Sequence, residues 1–225
     1  KLVSIERRLK KTGREFMRRR RSVRCAVGRS LGAYRFEHVL SVEKEAARLA
    51  QIYLPEFVQK ARISALLHDI TKEYDHKKQL QIFSEFGIII DNVILHCPSV
   101  FHSETAALLI PRLYPDFADP DILSAVKKHT AGSENMSLLD CILYLADFIE
   151  PLRKFDDCKK LRSFFWDGVQ TLGTKEARQF HLYRTMVLSF DLTIHDLMSR
   201  GSVIAPDTFR ARNAFLLKLE SEQRQ

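Results

Sequence analysis

The sequence predicts an all-α fold, and three observations carry that prediction. From about residue 34 onward, apolar residues recur at three- and four-residue spacing. The boundaries of those runs carry helix-start and helix-stop chemistry: Asp119-Pro120, Ser137 with Asp140, Gly87 and Gly132. The 225 residues suffice to bury one full core, and eight glycines with seven prolines exclude fibrous and low-complexity classes.

The elements follow in order. Phe36, Val39, Leu40, Val42, Ala46, Leu49 and Ala50 mark one face of a first core helix. Pro55 opens a second, which runs to His68-Asp69. An amphipathic third spans about 75–86, and Gly87 ends it. Gly87 to Val100 reads as irregular, with Ile88-Ile89-Ile90 as a short buried strand or packed loop. A fourth helix starts near His102 and stops before Pro115. The fifth opens with Asp119 as N-cap and ends at His129-Thr130. Ser137-Leu138-Leu139-Asp140 resembles a capping box, with Asp in place of the usual Glu, for a sixth helix that closes at Glu150-Pro151. Helices over about 156–171 and 175–199, and a short one after Pro206-Asp207-Thr208, complete the chain.

The net charge of +8 is local. Twelve of the 36 Lys/Arg and two of the 28 Asp/Glu fall within residues 1–30, leaving 24 basic and 26 acidic side chains over the other 195. Residues 1–30 therefore read as a basic N-terminal extension or linker, and 31–225 as the domain. The basic stretch has no apolar core of a secretory signal. Its arginines lack interleaved aromatics, which disfavours nucleic acid as a partner. No run of 18 apolar residues is present, so no membrane span is expected. Cys25, Cys97, Cys141 and Cys158 show no pairing motif, which points to a reduced, cytoplasmic setting.

Chemistry concentrates at Ala65-Leu66-Leu67-His68-Asp69-Ile70-Thr71-Lys72, an apolar run that stops at an imidazole beside a carboxylate. Burying that pair is costly unless a charge faces it, and a metal ion is the natural candidate. His38, His102, His129 and Asp147 sit at or near helix ends or on apolar helices and complete a set of six candidate ligands. All are nitrogen or oxygen donors, a set that suits iron, manganese, cobalt or nickel better than structural zinc. Six donors serve two ions if one carboxylate bridges. Neighbouring helical side chains diverge by about 100°, so Asp69 can lie between two ions while His68 faces one. His38, His68, Asp69 and Asp147 would serve one ion, and Asp69, His102 and His129 the other. Two divalent ions with two carboxylates leave positive charge, which favours anionic substrates and water activated toward a pKa of roughly 7. Arg35, Lys72 and Arg153 stand close in sequence to these donors and suit phosphate oxygens. Neither an H-E-x-x-H helix nor a Walker loop is present. His76, His181 and His195 read as ordinary structural residues, and His96 as one that could orient a ligand.

Four segments carry a family resemblance: Arg35-Phe36-Glu37-His38; Leu67 to Lys72; His129-Thr130-Ala131-Gly132 with Met136-Ser137; and Ala146 to Arg153. Pro206-Asp207-Thr208 adds a fifth. The ordered pattern of His, His-Asp, His, His and Asp resembles the HD-domain superfamily of metal-dependent phosphohydrolases, which implies an HD-domain helical bundle. Over about residues 34–217 it is similar to the YqeK family of symmetrical bis(5′-nucleosyl)-tetraphosphatases. The resemblance implies a di-iron centre on the six residues and hydrolysis of diadenosine tetraphosphate to two ADP, with Asp69 and Lys72 catalytic. It further implies nucleotide contacts from Arg35, Lys72, Thr130, Arg153 and the loop Val203, Ile204, Ala205, Pro206, Asp207 and Thr208. The chain departs from the family pattern at Ser103-Glu104-Thr105, after His102, and at Ser133-Glu134-Asn135. Some relatives are fused behind a nicotinate-nucleotide adenylyltransferase, so an upstream fused domain, or a homodimer, is a candidate partner. Two other readings compete: an HD phosphohydrolase for another nucleotide or a cyclic phosphodiester, and a nucleic-acid or partner-binding module with a vestigial site.

Overall fold

Residues 18–223 are described by a computed structural model, and among them there is no β-strand. Eleven α-helices follow one another: α1 (18–30), α2 (Ala33–Tyr53), α3 (Val58–Leu67), α4 (His76–Glu85), α5 (Asn92–Leu95), α6 (Phe101–Leu113), α7 (Pro120–Lys128), α8 (Leu138–Ile149), α9 (Asp156–Gln170), α10 (Lys175–Ser199) and α11 (Pro206–Gln223). The all-α expectation holds.

The cap chemistry read from the sequence is realised. Asp119 accepts from the backbone N–H groups of Asp121 and Ile122 at the start of α7. Ser137 and Asp140 form the reciprocal capping box of α8. Asp75, not read as a cap from the sequence, also caps α4 by accepting from Lys78 N–H. Gly132 follows α7 at φ +75°, a conformation that leaves an L side chain strained.

The most apolar helix, α8, is central, with α2, α3, α7, α9 and α10 packed around it. Its Leu139, Ile142 and Leu143 are fully buried. On the far side Phe165 of α9, Phe190 of α10 and Phe215 of α11 extend the same core, and Tyr144 links to Phe190 with ring centroids 4.8 Å apart. Full burial of a side chain of this size stabilises by about 1.5–3 kcal/mol.

Two expectations change. Ile88-Ile89-Ile90 forms neither strand nor buried loop: Ile89 is 97% exposed, and the segment continues into the four-residue α5. The last helix is not short, because α11 runs 18 residues and buries Ala211 and Phe215. The described part of the basic stretch, 18–30, is helical, and its Val23 and Val27 belong to the main core cluster. Arg20 lies 3.7 Å from the buried Glu43 of α2. Residues 1–17 lie outside the described part.

Candidate metal centre

Five helices deliver the six predicted donors to one place. His38 lies on α2, His102 in the first turn of α6 and Asp147 in the last turn of α8; His68 and His129 are the C-cap residues of α3 and α7, and Asp69 follows at once. The carboxyl ends of α3, α7 and α8 thus converge, and each carries partial negative charge that favours a cation. All six residues are buried or nearly so, with side-chain exposures from 0% for His68 to 16% for Asp147.

The imidazoles are oriented by their outer nitrogens. His68 Nδ1 donates to Ala65 C=O at 2.6 Å, His129 Nδ1 to Val126 C=O at 2.6 Å, and His38 Nδ1 to Glu150 Oε1 at 3.1 Å. These bonds set the tautomer and turn Nε2 inward. Asp69 sits between the rings: its Oδ2 lies 3.5 Å from His68 Nε2 and 3.8 Å from His38 Nε2, while its Oδ1 lies 3.3 Å from His102 Nε2 and 3.7 Å from His129 Nε2. Asp147 Oδ1 stands 3.0 Å from His38 Nε2 and 3.8 Å from His68 Nε2.

This donor set fits metal ions. The Nε2 atoms of His38 and His68 are buried and make no hydrogen bond. The Nε2 atoms of His102 and His129 face each other at 3.0 Å, where two lone pairs repel unless a proton or a cation is shared. Two trios have donor atoms within 4.8 Å of one another: His38, His68 and Asp147, and His68, Asp69 and His129. The first agrees with the sequence-based grouping. The second has His68 where the sequence-based grouping had His102, which belongs to neither trio and meets the centre through Asp69 Oδ1 at 3.3 Å.

The electrostatics follow from the same packing. Burial pushes His68 down to about 4 and outweighs the attraction of Asp69. Burial and the Lys72 ammonium push His102 well below its usual value. Burial opposes a charged His38 too, but the Asp147 and Glu150 carboxylates overcome it and raise its pKa to about 9. Burial works against Asp69 and Asp147, yet His68 with its neighbouring imidazoles holds Asp69, and Arg153 with His38 holds Asp147, well below the carboxylate range.

The three predicted cations all reach the centre. Arg35 Nη1 donates to Asp69 Oδ2 at 2.8 Å, and Arg153 donates to Asp147 Oδ1 at 2.6 Å and to its carbonyl at 2.5 Å. Lys72 Nζ lies 3.3 Å from both ring nitrogens of His102, and burial lowers its pKa. Thr130 Oγ1 comes within 3.1 Å of His102 Nε2. Val203 to Thr208 stand back: Asp207 pairs with Arg210 at 3.0 Å, and Ala205 and Asp207 line a cavity of about 420 Å³ with Ala131, Gly132 and Ser133. His96 is exposed and bonded to Asn92 C=O, with no contact to the six.

Several supporting residues escaped the sequence reading. Glu150 is 1% exposed; its Oε2 accepts from Leu152 N–H at 2.7 Å while Oε1 holds His38. Its position three residues after Asp147, before Pro151, places it on the same helix face and could have flagged it. Arg162 of α9 donates to the carbonyls of Ile149, Glu150 and Arg153, so it pins the turn that bears Glu150 and Arg153; no local pattern announces it. Thr71 donates to His102 C=O at 2.8 Å, and Gln79 joins Thr71 C=O to the Thr105 hydroxyl, which locks the Lys72 turn to α6.

Comparison with known proteins identifies the family. The HD domain family model matches residues 35–152. The chain is 29% identical over 188 residues to a symmetrical bis(5′-nucleosyl)-tetraphosphatase of Halalkalibacterium halodurans, covering 84% of this chain and 92% of the relative. It is 29% identical over 197 residues to the protein of the same name from Bacillus subtilis, covering 88% and 97%. A crystal structure described as a predicted HD superfamily hydrolase involved in NAD metabolism, from Clostridium acetobutylicum, superposes with a TM-score of 0.76 at 31% identity, covering 88% of this chain and 96% of that one. With more than half its length matched and the His-Asp doublet at the focus of the site, the chain belongs to the HD domain family.

Proposed function

We propose that the chain is a metal-dependent hydrolase of acid anhydrides that cleaves diadenosine tetraphosphate, and related dinucleoside polyphosphates, with one water to give two ADP. The observation that carries the reading is the inward convergence of four imidazole Nε2 atoms on Asp69 and Asp147, ringed by Arg35, Lys72 and Arg153. Relatives that cover most of the chain bear the name symmetrical bis(5′-nucleosyl)-tetraphosphatase.

We assign His38, His68, Asp69, His102, His129 and Asp147 to two divalent ions, iron by preference. Such ions, when bound, lower the pKa of water to roughly 7 and offset phosphate charge. The chain supplies the rest. Asp69, between all four imidazoles, would be the carboxylate that both ions share. Arg35 and Arg153 offer guanidinium groups to the non-reacting phosphate oxygens. Lys72, beside His102, meets the charge that grows on the departing ADP. Thr130 and the Val203–Thr208 loop take a nucleoside.

The reading places the protein in the cytoplasm, in keeping with four unpaired cysteines and with described helices none of which is long and apolar enough to cross a membrane. It keeps an upstream domain of the nicotinate-nucleotide adenylyltransferase type, or a second copy of the chain, as partner. Incubation of metal-loaded protein with diadenosine tetraphosphate should yield ADP as the sole nucleotide product. Release of ATP with AMP, or turnover by protein shown to be metal-free, would overturn the assignment.

A further inference from the structure

A symmetrical substrate has two equal nucleosides, and the Thr130 side accounts for one. A second, smaller cavity of about 210 Å³ opens from the centre on the Lys72 side. Lys72 and His102 line it at the centre, and Tyr74, His76, Pro98 and Ser99 form its outer wall. Phe101 alone is shared with the 420 Å³ cavity beside Gly132, so the two are separate recesses.

The small cavity has the chemistry that suits a purine. His76 lies flat on Phe101, with ring centroids 5.4 Å apart and planes within 16°, and Phe83 meets Phe101 edge-on at 5.3 Å, so the His76 plane is held from below. Tyr74 is held by Lys78 Nζ, 3.5 Å from its ring centre. Two fixed rings and a proline offer stacking surface at little entropic cost. The Tyr74 and Ser99 hydroxyls make no side-chain hydrogen bond among the described residues and are available to a base edge. Gln79, also on the wall, has its amide committed to Thr71 and Thr105 and serves as rigid backing. Among the described residues the exposed His76 side chain makes no ion pair and no hydrogen bond, and its one ring contact is Phe101, so its outer face is open to the recess.

We propose that this recess is the second nucleobase subsite, and that His76 and Tyr74 are substrate-binding residues that read the distal nucleoside of the dinucleotide. The proposal rests on the anhydride-hydrolase reading above. A phosphate chain gripped by Lys72 then runs directly into the recess, so each half of the substrate has its own pocket.

His76→Ala, His76→Phe and Tyr74→Ala in the full chain, loaded with Mn²⁺, test it. Base stacking lost to alanine is worth about 5- to 150-fold in affinity, so His76→Ala should raise KM for diadenosine tetraphosphate about tenfold, with a smaller change in kcat. Of the two ADP sites expected in the parent, His76→Ala should weaken one in parallel while inorganic pyrophosphate binds as in the parent. His76→Phe, which keeps the stack, should restore KM. Equal loss of ADP and pyrophosphate binding, or KM within about twofold of the parent in both alanine variants, overturns the subsite. Failure of the parent to form two ADP would instead remove the parent function, and the ADP-against-pyrophosphate comparison would still decide whether the recess takes a base.

Discussion

Glu150→Gln isolates the role of a residue that touches neither phosphate nor the inner face of the centre. The carboxylate is 1% exposed and accepts two N–H groups, His38 Nδ1 at 3.1 Å and Leu152 N at 2.7 Å. An amide of the same shape has one acceptor oxygen, so it can satisfy one donor and must turn its NH₂ toward the other. A buried donor left without a partner costs about 1–3 kcal/mol. If the amide oxygen keeps Leu152, His38 loses its anchor and the tautomer that aims Nε2 inward; if it keeps His38, the turn that carries Arg153 is strained. Loss of a carboxylate behind a ligating histidine typically lowers metal affinity about 10- to 100-fold, or about 1.4–2.7 kcal/mol, and the two routes agree. Competitive titration of Mn²⁺ against a chelating dye reads the affinity, and thermal unfolding with and without Mn²⁺ separates it from a general loss of stability. Metal affinity within about twofold of the parent would refute the reasoning, because His38 would then be oriented without Glu150.

The centre itself makes a sharper demand: His68→Ala or Asp69→Ala should abolish metal uptake and turnover while far-ultraviolet circular dichroism stays near the parent signal. Gly132→Ala should destabilise by at least about 2 kcal/mol in urea unfolding, since φ is +75° and a Cβ would sit 2.6 Å from Phe190 and 2.9 Å from Ala211. The same change should raise KM, because the turn carries His129 and Thr130. His181, wedged between Phe164 and Phe165 and donating to Phe165 C=O, has its pKa lowered below 6.5 by burial. The unfolded chain therefore takes up a proton below pH 6.5 that the folded chain resists. Its contribution to stability is intact above that pH and is lost as pH falls toward the folded value. Urea unfolding of His181→Phe should show a shallower acid decline than the parent, by at most about 1.4 kcal/mol per pH unit. Parallel profiles would dismiss His181 as the group responsible.

What the sequence revealed and what it withheld divide along physical lines. His68 and Asp69 stood out because an imidazole beside a carboxylate at the end of an apolar run is expensive on its own; that His38, His102, His129 and Asp147 come to the same place is a matter of helix packing. Asp119, Ser137 and Asp140 were legible because cap chemistry is local. Arg162 was not, since it meets α8 from another helix, thirteen residues beyond Ile149, and only the packing of α9 on α8 brings it there. Ile88-Ile89-Ile90 misled for the opposite reason. Three consecutive isoleucines cannot all point inward from a turn, and the fold leaves Ile89 in solvent at the rim of the 420 Å³ cavity that Phe83 and Phe101 also line. Residues 18–30 looked like a charged tail because four consecutive arginines dominate any count, but Val23, Val27 and Leu31, four residues apart, place one face in the core.

On the function proposed above, the arrangement of cations around the centre would let one site serve both metal and polyphosphate. Asp69 Oδ2 faces the Arg35 guanidinium at 2.8 Å and two imidazole nitrogens at 3.5 and 3.8 Å; Asp147 Oδ1 faces Arg153 at 2.6 Å and His38 Nε2 at 3.0 Å. A carboxylate oxygen has a limited number of lone-pair directions, so whatever charge it gives to a divalent ion it withdraws from the guanidinium. Each arginine is tethered close to its carboxylate and has spare N–H donors, Arg35 Nε being buried without a partner. A phosphate oxygen is the acceptor that would meet that unspent donor. The two arginines are thus held in readiness by the same oxygens that would grip the ions. If the ions and the polyphosphate bind as proposed, affinity for the anion would be coupled to occupancy of the cation site through these shared atoms.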